Sequence, residues 1–529
     1  MHIVAQRGRR FTQKRVTIIL AVLLLPNVYT LLDFHLGELG HLSPSVTQKI
    51  ETTDPVATID VTILRSSKSV EGSAVFRPLA LNGSAQAAAR TSRLASTSGS
   101  SVTIVSGFDG LNQIQSCACV PPDVQVAAGP SYVVEMVNLE GEIFTKQGVS
   151  NKTFTLSSFF LSGSDSISDP KILFDLSSNR WFASLVDISV RSVVVAVSST
   201  SDPTGIWTIY RLSAGSFLPD QPIIGVSDDK FVASANDFRS TSFVGAKYWV
   251  LNKAQMLTGS TVSTFSSTIN SGFFSIHPVQ SLSSTIIQYM VGNVVSGAAL
   301  SSTTIELFSV TGVPGISTVT TSTSALAVSS LTIPPAGVQP GTTFTIDTSD
   351  IRVQDAVWFK GILWYGLDDG CTPTGDTQLR SCVRMTQLDT AKSPVAVNQD
   401  FDYGLSGRYL FYPALRIDGQ GDLDLLYGYS SSTLFPSLAV TGQATTDSSG
   451  SLGPPWTLKA GSDLDASTRY GDYFGAGLDP TDPSVVWVSG EYHSNTTGSC
   501  GSFGSCWSTF IGSVKMTINL PSAGGRWAR

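Results

Sequence analysis

Charge is what this chain has least of. Asp, Glu, Lys and Arg make up only 14% of its 529 residues, and Leu- and Lys-rich periodic stretches are few. Long, ion-pair-laced helices are therefore excluded. The net charge is −7. An acidic chain of this kind offers no basic face to a phosphate backbone, so no nucleic-acid partner is expected. Histidine is scarce too, with five residues in all: His2, His35, His41, His277 and His493. Neither of the two beyond residue 100 accompanies a G-x-S-x-G elbow, which leaves a Ser-His-Asp hydrolase without footing. There is no C-x-x-C pair and no His beside a cysteine, and that argues against zinc.

Long apolar runs are equally few. Val16–Leu25 is the run of membrane type, ten residues long and preceded by Arg7, Arg9, Arg10, Lys14 and Arg15. A basic flank before a short apolar core is the pattern of an export signal, and ten residues is short for a span. Residues 1–32 are thus expected to be a signal peptide or an uncleaved membrane anchor. The Ser-, Ala-, Gly- and Thr-rich stretch 33–100 is expected to be a low-complexity linker, although Thr58–Leu64 alternates like a strand.

What the chain has in abundance is short β-type runs divided by turn residues. Asp169–Leu212 contains four: KILF, RWFASLV, SVVVAV and WTIYRL. Asn, Asp, Ser, Pro and Gly fill the gaps between them. Four strands in about 44 residues is the size of one β-propeller blade. The unit recurs at 121–148, 220–257, 277–312, 353–390, 412–443 and 471–514. The expected fold is all-β, a β-propeller of seven four-stranded blades over 101–516, with 517–529 as a tail. Closure of the ring calls for Val102–Val105 to pair with the last blade. The Ser/Thr/Pro-rich segment 313–350 reads as an inter-blade insertion.

Six cysteines in an exported chain favour disulfides. Cys371 and Cys382, and Cys500 and Cys506, are the expected pairs. Cys117 and Cys119, with one residue between them, would form a strained bond.

The motifs PPDVQVAAGP, DPKILFD with NRWFAS, AVSSTSDPTGIW, DQPIIGVS with ANDF, and RYGDYFGAGLDPTDP together resemble a largely uncharacterised family of exported bacterial and archaeal β-propeller proteins. The resemblance covers residues 108–514. Tyr470 stands where Trp is usual, and Ala127-Ala128 where Ala-Val is commoner. The family implies the fold and export but no reaction.

Function must therefore come from side chains. The corner before each inner strand lies at the mouth of the central channel. Those corners carry Asp123, Asp169, Asp220, His277, Asp355, Tyr412 and Asp472. Converging carboxylates suit a hard cation, so Asp123, Asp169, Asp220 and Asp472 are candidate Ca²⁺ ligands. His277, Asp355 and Tyr412, with Arg180, Arg408 and Arg469 nearby, are candidate ligand-binding residues. The bland reading of each corner Asp is a turn cap. Ser201–Trp207 departs from the S-x-D-x-G-x-x-W box by one place and is a structural turn in either case. Glu135, Glu491 and Asp472 supply carboxylates for glycoside hydrolysis, but nothing in the sequence picks a pair. Trp364, Tyr365, Tyr427 and Tyr429 read as blade core rather than a sugar platform.

The reading that follows is a secreted or cell-surface propeller, a monomer, binding an extracellular glycan or protein at its channel face. The alternatives are a glycan-active hydrolase or lyase of sialidase-like architecture and a structural envelope protein. Cell fractionation should place the protein in the membrane or outside the cell; a cytoplasmic pool would contradict the export reading.

Overall fold

The computed structural model describes residues 50–64, 90–91, 100–296, 299–467, 469–495, 500 and 506–518. The expected signal or anchor segment 1–32 lies outside these residues, as does most of the tail. The chain divides into Met1–Gln48 and Lys49–Arg529; all that follows concerns the second unit. No described helix is long and apolar enough to cross a membrane.

The unit is all-β and has a β-propeller arrangement. Five sheets are separate blades of four or five strands, where seven separate blades are expected from the repeats. They run from 125 to 155, 167 to 213, 273 to 327, 409 to 459, and 475 to 518. The third and fifth repeats do not form separate sheets. Their strands belong to one eleven-stranded sheet. The reason is a two-residue strand, Gln280–Ser281, wedged in parallel between the inner strands Leu218–Val226 and Val353–Phe359.

The inner strands Ile167–Asp175 and Tyr409–Ile417 are buried along their whole length. A strand covered on both faces reads as a continuous apolar run rather than an alternation. Between blades the space is filled by large rings, including Trp181, Trp207 and Trp507, each all but inaccessible. Gly129 shows how tightly. A Cβ there would sit 2.3 Å from the Trp181 ring, so only glycine fits under it.

The N-terminal part of the unit corrects the expected linker. Ile50–Thr53 pairs with Val262–Ser266, and Pro55–Asp60 pairs with Ile206–Ser213. Residues 50–60 thus add one strand to the outer edge of two successive repeats. Such edges would otherwise offer unpaired N–H and C=O groups. Ser100–Asn112 pairs antiparallel with Trp507–Ile518 along almost its whole length, closing the ring. Disulfides join Cys371 to Cys382, Cys500 to Cys506, and Cys117 to Cys119.

Closure gives a direct test. Val102 is 1% exposed and Val105, on the same strand, is 57% exposed. Val102→Asp would bury an unpaired charge and should cost about 3 kcal/mol or more. Val105→Asp should stay within about 0.5 kcal/mol of the parent. Urea unfolding compares them; equal costs would remove the closing role of this strand.

Candidate functional site

One backbone feature recurs at the entrance to the inner strands. Asp123, Asp169, Gln221, Ser275, Tyr412 and Asp472 all have positive φ, between 48° and 62°. Non-glycine residues seldom adopt this conformation. The strand pairing slips at these points: between Asp220 and Ile223, Phe274 and His277, and Phe411 and Ala414, and opposite Asp169. Pro170, Pro222 and Pro413 follow three of them. A left-handed residue followed by proline cannot continue a ladder, so each is a bulge that re-aims the chain at the axis.

At four of these corners the N–H is caught by the preceding repeat, whereas the Asp472 N–H donates to the Tyr470 carbonyl at 3.2 Å. Asp169 donates to Asn138 Oδ1 at 3.0 Å, Gln221 to Asp169 Oδ2 at 2.8 Å, Ser275 to Asn236 Oδ1 at 2.8 Å, and Tyr412 to Asp368 Oδ1 at 2.9 Å. These bonds order the mouth and link one repeat to the next.

Asp123, Asp169, Asp220 and Asp472 are brought together, as the corner reading expects. Their charges act on one another. Burial pushes the Asp123 carboxyl well above the usual range, and Asp472 and Asp169 push it further. Burial and then Asp169 do the same to Asp220. Asp123 hydrogen-bonds Asp169 side chain to side chain. Asp169 already accepts from Ser168 Oγ at 2.6 Å and from the Gln221 N–H. Burial and the neighbouring acids thus favour the protonated form of Asp123.

The counter-charges come from the chain itself. Arg469 pairs with Asp472 at 2.6 Å and with Asp347 at 3.5 Å. Arg352 pairs with Asp350 at 2.7 Å and also acts on Asp220. Lys171 lies between Asp123, Asp355, Asp169 and Asp472, its Nζ 2.9 Å from the centre of the Tyr473 ring. Among the described residues no group of three or more His, Cys, Asp or Glu is arranged to hold a metal ion. The four corner aspartates, expected as Ca²⁺ ligands, do not form such a group. Lysine and arginine side chains offset part of their mutual repulsion.

The other expected residues fall into three places. His277 and Asp355 lie deeper, on the wall of a cavity of about 30 Å³ that Lys171 and Arg416 also line. Asp355 accepts from Arg416 at 2.8 Å and from the Leu415 N–H at 2.9 Å. Burial pushes the His277 imidazole down to about 4. Tyr412 is fully buried at the mouth and donates to the Tyr470 carbonyl at 2.7 Å. Two expectations fail. Arg180 caps its own hairpin turn through the carbonyls of Ser178 and Asn179, because it begins the second strand and sits at the opposite end of the inner one. Arg408 lies over the Tyr429 ring, 5.1 Å from its centre.

The remaining candidates are structural. Glu135 joins the first repeat to the closing sheet through Leu111, Ser489 and Thr509. Glu491 holds the Gly471 N–H and His493. Asp202 caps the turn that Trp207 closes. Trp364, Tyr365, Tyr427 and Tyr429 are core. A second cavity, about 350 Å³, lies among the hairpin turns at the far end of the inner strands, lined by Pro130, Leu176, Leu478 and Pro483.

Sequence reading passes over Lys171, Arg352, Asp347, Arg416 and Tyr473. Two of them carry a signal. Arg416 interrupts a strand that is otherwise apolar, and Lys171 opens the apolar run Ile172–Phe174; a basic residue in such a place is seldom there without a partner.

No described protein family matches the chain, and no curated protein does. Solved structures do. The chain is similar to a protein of unknown function from Dyadobacter fermentans DSM 18053, at 9% identity over 79% of this chain and 99% of that one, with a TM-score of 0.36. It is also similar to Drosophila Semaphorin 1a, extracellular domains 1-2, at 7% identity over 78% and 88%, TM-score 0.37. A third is the endo-arabinase from Bacteroides thetaiotaomicron VPI-5482, at 10% identity over 53% and 95%, TM-score 0.30. Likenesses this distant carry nothing about activity.

The Asp123–Asp169 pair predicts a pH signature. A carboxyl whose pKa is raised by folding contributes stability below its unfolded value, near 4, and loses it as pH rises through the folded value. Asn tolerates positive φ and can donate to Asp169 as protonated Asp123 does. Asp123→Asn should therefore melt at or above the parent at pH 8, with the gap closing by pH 4.5. A variant that is less stable at pH 8 and recovers nothing on acidification would overturn the protonated form of Asp123.

Proposed function

We propose an exported or cell-surface propeller that binds a polar extracellular ligand, a glycan or a protein, at the acidic mouth of its channel. One observation supports this most: Asp169 and Asp472, on left-handed corners, gather with Asp220, Asp347, Arg352 and Arg469. Strained backbone concentrated at one place is a reason to look for function there. The cavity below the mouth is too small for a sugar ring, so such a ligand would lie across the mouth. Alternating acids and guanidinium groups offer acceptors and bidentate donors of the kind that hydroxyls and charged side chains take.

Three disulfides fit an oxidising compartment. Membership in the exported propeller family rests on the motifs alone. We read the eleven-stranded sheet as two blades. The two halves meet only through Gln280–Ser281, which contacts the first at the single pair Val226–Gln280. That count gives seven.

A second reading is glycan hydrolysis by two of the gathered carboxyls, which would have to flank the scissile bond about 5 to 10 Å apart; Asp123 and Asp169 are too close together to be both. A glycan array and a glycosidase screen on the whole protein separate the two. Under the binding reading, Asp472→Asn with Arg469→Gln weakens capture at least tenfold and no sugar is released. Turnover that Asp123→Asn abolishes would replace that reading with the hydrolase.

A further inference from the structure

The three disulfides of the chain are not alike. Cys371 and Cys382 lie 11 residues apart, and Cys500 and Cys506 lie 6 apart. Cys117 and Cys119 lie 2 apart, with Ala118 alone between them. A bond that closes so short a loop removes little freedom from the unfolded chain, so it contributes the least of the three to stability. It also sits on costly backbone. Ala118 has a φ of 51°, in the left-handed region that a residue with a Cβ seldom occupies. Nor does the loop need the bond to hold its course. The Ala118 N–H donates to the Gln113 carbonyl at 2.9 Å. Asn112 Oδ1 accepts from the N–H groups of Ile114 and Gln115, each at 3.1 Å, and Trp507 Nε1 donates to the Cys119 carbonyl at 2.7 Å.

The two sulfurs of this bond are unequal. Cys117 is 2% exposed, whereas Cys119 is only partly buried. The buried Ser116 hydroxyl donates to Cys117 Sγ at 3.6 Å. A hydroxyl aimed at a sulfur stabilises it most when that sulfur carries the charge of a thiolate. Cys117 is therefore the better leaving group, and Cys119 is the sulfur that an external thiolate can reach. The other bonds are better shielded. Cys371 and Cys382 are both fully buried. Cys500 is partly exposed, but its partner Cys506 is fully buried.

We propose that the Cys117–Cys119 bond is a redox-active disulfide that exchanges with low-molecular-weight thiols, the other two being structural. A thiolate attacks Cys119 Sγ and forms a sulfur–sulfur bond to it. The Cys117–Cys119 bond breaks, and Cys117 leaves with the electron pair as a thiolate, which takes a proton from water. A second thiolate then attacks the external sulfur of the mixed disulfide and releases Cys119. Two thiols are oxidised to one external disulfide, and the protein disulfide is reduced to a dithiol; an external disulfide drives the same steps in reverse. The inference is independent of the ligand reading above, because it needs no occupant at the mouth.

The test uses the full chain without denaturant at pH 8, in glutathione buffers of graded reduced-to-oxidised ratio. Free thiols are trapped with N-ethylmaleimide at timed intervals and located by peptide mass mapping. Cys117 and Cys119 should be labelled at least tenfold faster than the other four cysteines, with the transient glutathione adduct on Cys119. Oxidised glutathione should close the bond again. Opening this bond alone should move the melting temperature by less than about 2 °C, because the loop is so short. Ser116→Ala should slow the opening several-fold at an unchanged melting temperature. Opening of Cys371–Cys382 or Cys500–Cys506 as fast as Cys117–Cys119 would overturn the proposal. A glutathione adduct confined to Cys117 would overturn it as well, since the attack would then run the other way.

Discussion

The structure depends on one recurring constraint: an inner strand that enters the channel through a left-handed corner, whose N–H in four repeats is held by the neighbouring repeat. The corner cannot stay in the strand ladder, so its amide would be orphaned in a buried position, and an orphaned amide is costly. Asn138, Asn236, Asp368 and Asp169 prevent this. The same bonds tie each repeat to the next. They also fix Asp169 at the mouth, where Asp123 and Asp472 act on it and on each other. Stability and site are thus two consequences of the same geometry.

Gathering acids at an axis raises an electrostatic problem, and the solution here is mixed. Two guanidinium groups, Arg352 and Arg469, take the more open acids. A proton takes the most buried one, Asp123. Lys171 supplies a further charge among Asp123, Asp355, Asp169 and Asp472, its ammonium on the face of Tyr473. Burial lowers its pKa to about 7 despite the four aspartates around it.

Much of this was legible in the residues. Turn chemistry and β-branched runs point to the repeat, and the recurrent corner points to Asp123, Asp169, Asp220 and Asp472. The rest was not legible, for physical reasons. Sheet separation depends on where a two-residue strand, Gln280–Ser281, wedges itself, and no pattern of period two announces a strand so short. The acids and arginine of 347–352 reach the mouth from a segment that reads as an insertion, because its approach is set by tertiary packing rather than by the repeat. Arg180 and Arg408 stand close to corners in sequence yet belong to hairpin and rim. Proximity along an extended strand means about 3.3 Å per residue, enough to carry a side chain out of the site within a few positions.

The central claim is that burial and the neighbouring acids favour the protonated form of the corner acid Asp123. Infrared spectroscopy of the whole protein at pH 7 measures this most directly, by comparing the protonated-carboxyl band of the parent with that of Asp123→Asn. The account predicts a loss of one carboxyl's worth of band intensity in the variant, with the remaining buried carboxyls unchanged. Identical band intensities at pH 7 would mean that Asp123 is ionised, and would contradict it.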